Sequence, residues 1–201
     1  MAVIEPFRHN NGRIRELIEA SEPELQEYIR CLEQGALIDG LTGTYRRDAF
    51  DDVFAREFDE AKRYGYELSL GMVDVDSFKS INDIHGHQTG DAALIYIARS
   101  LMSSTRKADR VGRCGGDEFQ IIMPHTGAEK AYKAGEKVCK VITDGVESAG
   151  LPFLSISMGI ATYPADADSI PKFVERADEA LYAAKHAGKN AVFAYRMLQS
   201  R

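Results

Sequence analysis

The run Leu68-Ser69-Leu70-Gly71-Met72-Val73-Asp74-Val75 is short, nearly continuously apolar and bounded by polar sequence. A strand with one face in water alternates apolar and polar residues, so a run that is apolar at odd and even positions must be covered on both faces. The run is therefore expected to be a central strand of a sheet covered on both faces. The sequence on both sides supplies helices for that cover. A helix from about Asp48 to Tyr64 carries Phe50, Val53, Phe54 and Phe58 on one face. Another covers roughly Phe78 to Ser103, with a break expected among the turn formers between Gly86 and Gly90.

Val111 to Cys114 and Phe119 to Met123 bracket Gly115-Gly116 and read as a hairpin. Gly127 to Ser148 reads as a helix, Phe153 to Thr162 as a strand, and Ser169 to His186 as an amphipathic helix with Ile170, Phe173, Val174, Ala177, Leu181 and Ala184 on its apolar side. Gly188 suits its C-cap, ahead of a last strand from Ala191 to Tyr195. Helices and strands alternate but one strand pair is a hairpin, so an α+β fold with a central mixed β-sheet flanked by helices is expected.

The 201 residues, 44% hydrophobic and 28% charged, suit one globular domain with length left for a connector. No apolar run approaches the ~20 residues of a membrane span, and Met1 to Asn11 lacks the apolar core of a signal peptide, so the cytoplasm is the expected location. Cys31, Cys114 and Cys139 form no CxxC pair and read as reduced thiols. A net charge of -6 argues against a nucleic-acid polymer as partner, though a local basic pocket for one nucleotide is compatible with it.

Residues 1–38 read as an N-terminal helical extension or linker, and 39–201 as the main domain. Ile14, Leu17 and Ile18 suggest a short amphipathic helix. Ser21-Glu22-Pro23-Glu24 has capping-box spacing with proline in the first turn, and Leu25, Tyr28, Ile29, Leu32 and Ala36 continue a second helix. A helix packed on the domain, and a connector from a sensory module or a dimer seam, are both open readings of this segment.

Asp74 lies at the end of the buried strand, and Asp117 and Glu118 lie on the Gly-Gly turn. Three carboxylates converging there would suit hard divalent cations, which two-metal sites use to clamp attacking and leaving oxygens in phosphoryl or nucleotidyl transfer. Asp76 would share the side of Asp74 if the strand continued. The ordinary alternatives are a solvated hairpin tip and a helix cap. An EF-hand loop beginning at Asp74 fails, because Phe78, Lys79 and His85 occupy positions that need an oxygen ligand, a glycine and a bidentate glutamate. No Walker loop, G-x-x-x-x-G-K-[ST], occurs.

Five blocks in order resemble the GGDEF domain family of diguanylate cyclases, over roughly Asp39 to Tyr195. They are Asp39-Gly40-Leu41-Thr42-Gly43; Asp74-Val75-Asp76-Ser77-Phe78-Lys79-Ser80-Ile81-Asn82-Asp83; Gly86-His87 with Gly90-Asp91; Gly115-Gly116-Asp117-Glu118-Phe119; and Ala177 to Lys185 with Gly188-Lys189-Asn190. The resemblance implies a nucleotidyl-cyclase-like, ferredoxin-like palm that condenses two GTP into cyclic di-GMP with release of pyrophosphate. It also implies a homodimer for turnover, with an upstream sensory domain or partner as a further expectation. A GGDEF-like module that senses GTP or cyclic di-GMP without turnover is the alternative.

By similarity, Asp74, Asp117 and the Val75 carbonyl would hold two Mg²⁺ ions, with Mn²⁺ as a substitute. Glu118 would be a ligand or take the proton from the attacking hydroxyl. Asn82 and Asp91 would recognise the guanine edge, and Lys79, Lys185 and Lys189 the phosphates. Phe78, Gly115 and Gly116 would line the substrate site. Arg106-Lys107-Ala108-Asp109 resembles the family's R-x-x-D inhibitory site, whose arginine and aspartate would take guanine of the product; an i, i+3 ion pair is its ordinary alternative. Thr44, Arg46, Cys114 and Lys189 depart from residues common in the family, while Arg47 fits.

Overall fold

The computed structural model describes residues 37–199, and the expected N-terminal helices lie outside them. The chain order is β1 (Tyr45–Arg46), α1 (Arg47–Tyr64), β2 (Leu68–Val75), α2 (Phe78–His85), α3 (His87–Ser104), β3 (Arg110–Arg113), β4 (Glu118–Pro124), α4 (Ala128–Gly145), β5 (Ile156–Tyr163), α5 (Ile170–His186), β6 (Val192–Ala194) and α6 (Tyr195–Leu198). The six strands form one mixed sheet in the order β1-β3-β4-β2-β5-β6. β2 is antiparallel to β4 and β5, whereas β1 pairs parallel with β3 and β6 parallel with β5.

The central strand divides its side chains between two cores, as its unbroken apolarity requires. Leu68 and Leu70 pack with Phe50, Phe54, Ile122 and Phe173, the layer that α1 and α5 cover. Val73 and Val75 pack on the other face with Ile97, Leu101, Ile121 and Ile142, under α3 and α4. By the two-residue period of a strand, Asp74 therefore falls on the α1 and α5 side. α5 approaches this face at backbone contact. A Cβ on Gly159 of β5 would lie 2.1 Å from the Leu181 nitrogen and 2.2 Å from the Ala177 oxygen, so only glycine lets helix and strand come this close.

The break in the long helical segment falls at Gly86, whose φ of 81° is in the left-handed region that glycine tolerates. Three boundaries differ from expectation. β5 starts at Ile156 rather than Phe153, opposite Val75 where β2 ends, and Ser155 just before it bonds Asp76 in the loop beyond β2. The last strand stops at Ala194, and Tyr195 opens a short helix with its ring beneath the Arg176 guanidinium at 4.5 Å. α4 ends at Gly145, where the Tyr96 hydroxyl donates to the Ile142 carbonyl at 2.8 Å and so serves one of the helix's orphan acceptors. No helix among the described residues is long and apolar enough to cross a membrane.

Candidate active site

The end of β2 gathers the charges. Asp74 accepts an ion pair from Lys185 of α5, Nζ to Oδ2 at 2.8 Å, with the aspartate side chain 13% exposed and the lysine 37%. The pairing follows from the fold, since Asp74 faces α5 and the close seat of that helix brings Lys185 within reach. Burial pushes the Asp74 carboxyl above the ordinary aspartate value; Lys185 pulls it back, and the charges of Asp117 and Asp76 push it up again.

Across the sheet, the register sets Glu118 opposite Asp74, and the Val75 N–H donates to the Asp117 carbonyl at 3.2 Å. The hairpin thus lies beside the strand end as its sequence suggested. Asp74, Asp117 and Glu118 do not form a ready-made cluster at this strand end. Among the described residues no three His, Cys, Asp or Glu side chains gather closely enough to hold a metal ion by themselves. The Glu118 carboxylate is folded over Gly115, where an added Cβ would meet its Oε2 at 2.5 Å. Asp74 and Asp117 are left as the charge-coupled pair. Such a donor set, two carboxylates and nearby carbonyl oxygen, fits Mg²⁺, which binds one or two protein carboxylates and completes its shell with water and substrate phosphate.

Asp76 does not join them. The strand ends at Val75, and the Asp76 carboxylate, 7% exposed, accepts from Ser155 Oγ and Ser157 Oγ at 2.6 Å each and from the Asn190 N–H at 2.9 Å. It ties β2, β5 and the segment after α5 together. Next to it Ser77 and Lys189, both at positive φ, are joined by a Lys189 Nζ to Ser77 Oγ bond of 2.8 Å. Lys189 is thereby carried to the N-terminus of α2. Lys79 is exposed on the first turn of the same helix.

Asn82 of α2 rests against α3 at Gly90, where an added Cβ would fall 2.0 Å from Asn82 Oδ1 and 3.3 Å from the Phe78 ring. Phe78, Asn82 and Gly90 therefore form one contact, and exposed Asp91 follows directly on α3. The structure brings these guanine-side candidates into one neighbourhood at the α2–α3 junction.

Residues that the motif reading left without roles hold the Gly-Gly turn. Arg113 donates to the Gly116 carbonyl through Nη2 at 2.7 Å and to Asp39 Oδ1 through Nη1 at 3.3 Å. Asp39 also accepts from the Thr42 N–H at 2.9 Å and the Thr42 hydroxyl at 2.6 Å. Burial pushes the Asp39 carboxyl up, but these hydrogen bonds and the Arg113 charge carry it below the ordinary value. The Asp-x-x-Thr spacing was a legible turn signal; its link to Arg113, 74 residues away, was not. Thr44 is accommodated by a 2.9 Å hydroxyl pair with Thr42. Cys114 is buried and free, as is Cys139, and burial pushes both thiols up to about 12, so both stay protonated near neutrality.

Arg106 and Asp109 form a tight turn. Asp109 accepts from the Arg106 N–H at 2.7 Å and from its Nη2 at 3.3 Å, with the carboxylate side chain 5% exposed. Arg106 Nη2 also donates to the Thr126 hydroxyl. The i, i+3 ion pair is thus present in the structure.

The family model described as diguanylate cyclase, GGDEF domain, matches residues 36–191. The chain belongs to the GGDEF family. Among relatives of this GGDEF domain, the probable diguanylate cyclase DgcC of Escherichia coli K12 is 38% identical over 172 residues, covering 83% of this chain and 45% of the relative. The chain thus spans less than half the length of that relative. The solved GGDEF domain of DgcB from Caulobacter crescentus, in complex with c-di-GMP, superposes with a TM-score of 0.75 at 34% identity, covering 80% of this chain and 96% of that one. The DgcB structure that includes its coiled coil, also with c-di-GMP, gives 0.80 at 32% identity, covering 86% and 92%.

Proposed function

We propose that this GGDEF domain is a diguanylate cyclase domain that condenses two GTP into cyclic di-GMP, releasing two pyrophosphates, as one half of a two-domain active unit. The observation that carries the reading is the half-buried Asp74, paired with Lys185 beside Asp117, at the strand end that adjoins the Asn82 and Asp91 junction.

In this reading Asn82 and Asp91 accept from the N1 and N2 hydrogens of guanine, which adenine lacks. Lys79, Lys189 and the first-turn amides of α2 receive the terminal phosphates, since unpaired N–H groups at a helix start favour anions. Metal dependence is general among GGDEF diguanylate cyclases. Asp74, Asp117 and the Val75 carbonyl are the groups that would hold divalent ions, Mg²⁺ by the chemistry of the donors, and bound there these would neutralise charge on the reacting phosphate. Lys185 balances Asp74 and, with part of its side chain exposed, is available to a phosphate oxygen. Glu118, exposed at the turn, is available to accept the proton of a 3′-hydroxyl. That hydroxyl forms a bond to the α-phosphorus of the GTP on the facing domain, and the bond to the β-phosphate oxygen breaks. One domain holds one GTP, so the reaction needs two domains face to face, with proximity contributing much of the rate.

Arg106 and Asp109 are read as a product site, with cyclic di-GMP feeding back on its own synthesis. Incubating the purified chain with GTP and Mg²⁺ at concentrations where dimers are demonstrated should give cyclic di-GMP by mass spectrometry. Bound GTP without product under those conditions would replace the enzyme reading with that of a sensing module.

A further inference from the structure

We infer that Thr126 is a latch on the Arg106–Asp109 turn, a positioning residue that holds the pair closed against a guanine ligand; the inference rests on the product-site reading above. Among the described residues, every side-chain hydrogen bond of Arg106 leaves from one nitrogen. Nη2 donates to Asp109 Oδ1 at 3.3 Å, to the Pro124 carbonyl at 3.5 Å and to Thr126 Oγ1. A guanidinium has two edges of parallel N–H groups, Nε with Nη2 and Nη1 with Nη2, and both include Nη2. The bidentate grip on guanine O6 and N7 needs one complete edge. While Nη2 faces inward neither edge is whole.

Asp109 is closed in the same way. Its two oxygens serve the Arg106 N–H and Nη2, and with 5% of the side chain exposed it offers little to a ligand. The backbone of the turn is fixed from its other end, because Arg110 Nη1 donates to the carbonyls of Lys107, Ala108 and Asp109 at 3.0, 2.7 and 3.2 Å. Opening must therefore come from rotation of the Arg106 side chain, which is 58% exposed and has room to turn. Arg106 and Asp109 themselves line a cleft of about 270 Å³ together with Met102, Lys107, Arg110 and Val111, a mixture of apolar and cationic side chains that suits a flat base attached to a phosphate.

Thr126 is built to hold its hydroxyl in one direction. It is 2% exposed, its N–H donates to the Glu67 carbonyl at 3.0 Å, and its carbonyl accepts from Ser69 Oγ at 2.7 Å. The hydroxyl proton goes to the Pro124 carbonyl at 2.9 Å, which leaves the oxygen lone pairs for Arg106. Ligand binding has to break this bond.

Calorimetry with cyclic di-GMP on the full 201-residue chain tests the latch. Thr126→Val should bind roughly three- to tenfold more tightly, the scale of one lost hydrogen bond in the closed state, and Thr126→Ser should match wild type. Thr126→Ala serves in its place if thermal melting shows the valine variant unfolded. Unchanged or weaker binding in the hydroxyl-free variant, together with lost binding in Arg106→Ala, would overturn the latch and keep the product site. Wild-type binding in Arg106→Ala would overturn the site and the latch with it.

Discussion

Two carboxylates two residues apart, Asp74 at the end of β2 and Asp76 in the loop beyond, are treated in opposite ways by the same fold. Asp76 is almost fully buried and receives three donors from two other parts of the chain. Among the described residues Asp74 has one ion-pair partner, Lys185, and burial together with the neighbouring negative charges holds its carboxyl above the ordinary value. A carboxylate has about four acceptor positions, so Asp76 is nearly satisfied and Asp74 is not. The satisfied acid supports structure. In the proposed cyclase reading, the acid with positions left open is the one that meets a divalent ion.

Substitutions at the two acids should separate these roles. Asp74→Asn should cut cyclic di-GMP formation by about 10²- to 10³-fold, the cost of losing a principal electrostatic group, with thermal melting close to wild type; a large loss of stability would blur the contrast. Asp76→Ala should lose about 3 kcal/mol in urea unfolding, because buried donors are left without an acceptor, and any loss of activity should follow the loss of folded protein. Lys185→Ala should lower turnover by about 10-fold or more at saturating Mg²⁺, as removal of a placed cation does at phosphoryl sites, without the stability loss of Asp76→Ala.

The smallest effect is on pH. Because the folded Asp74 carboxyl is raised, its contribution to stability is present below the unfolded value of about 3.9 and is lost as pH rises through the folded value. Asp74→Asn should therefore be at least as stable as wild type at neutral pH, and its advantage should close as pH falls towards 4. Urea midpoints across that range measure the gap; an advantage that widened on acidification would contradict the assigned direction.

Much of this was legible in the chain because local chemistry and global fold agree. The run Leu68 to Val75 called for two covering layers, and Leu68 and Leu70 enter one core while Val73 and Val75 enter the other. The hairpin and the glycine break likewise follow from turn chemistry. What stayed hidden depends on contacts distant in sequence. Asp76 looked like a companion of Asp74 because a strand's two-residue period would put them on one face, but the strand ends first and its serines come from 79 and 81 residues away. Glu118 opposes Asp74 in register, yet its flexible side chain folds back over Gly115, and side-chain rotation has no sequence signal. Residues 106–109 carried two readings, and the closed ion pair depends on Thr126, outside the motif.

At Gly159, α5 lies against β5 with no side chain between them, and the same helix carries Lys185 to Asp74. The thickness of that layer is therefore an adjustable dimension of the site. Anything that thickens it, even one methyl group in the middle of the sheet, lifts the ammonium from the carboxylate and detunes the charge balance while every residue of the site remains unchanged. The interior of this domain is in that sense a gauge block, setting by its width a distance that the reacting groups cannot set for themselves.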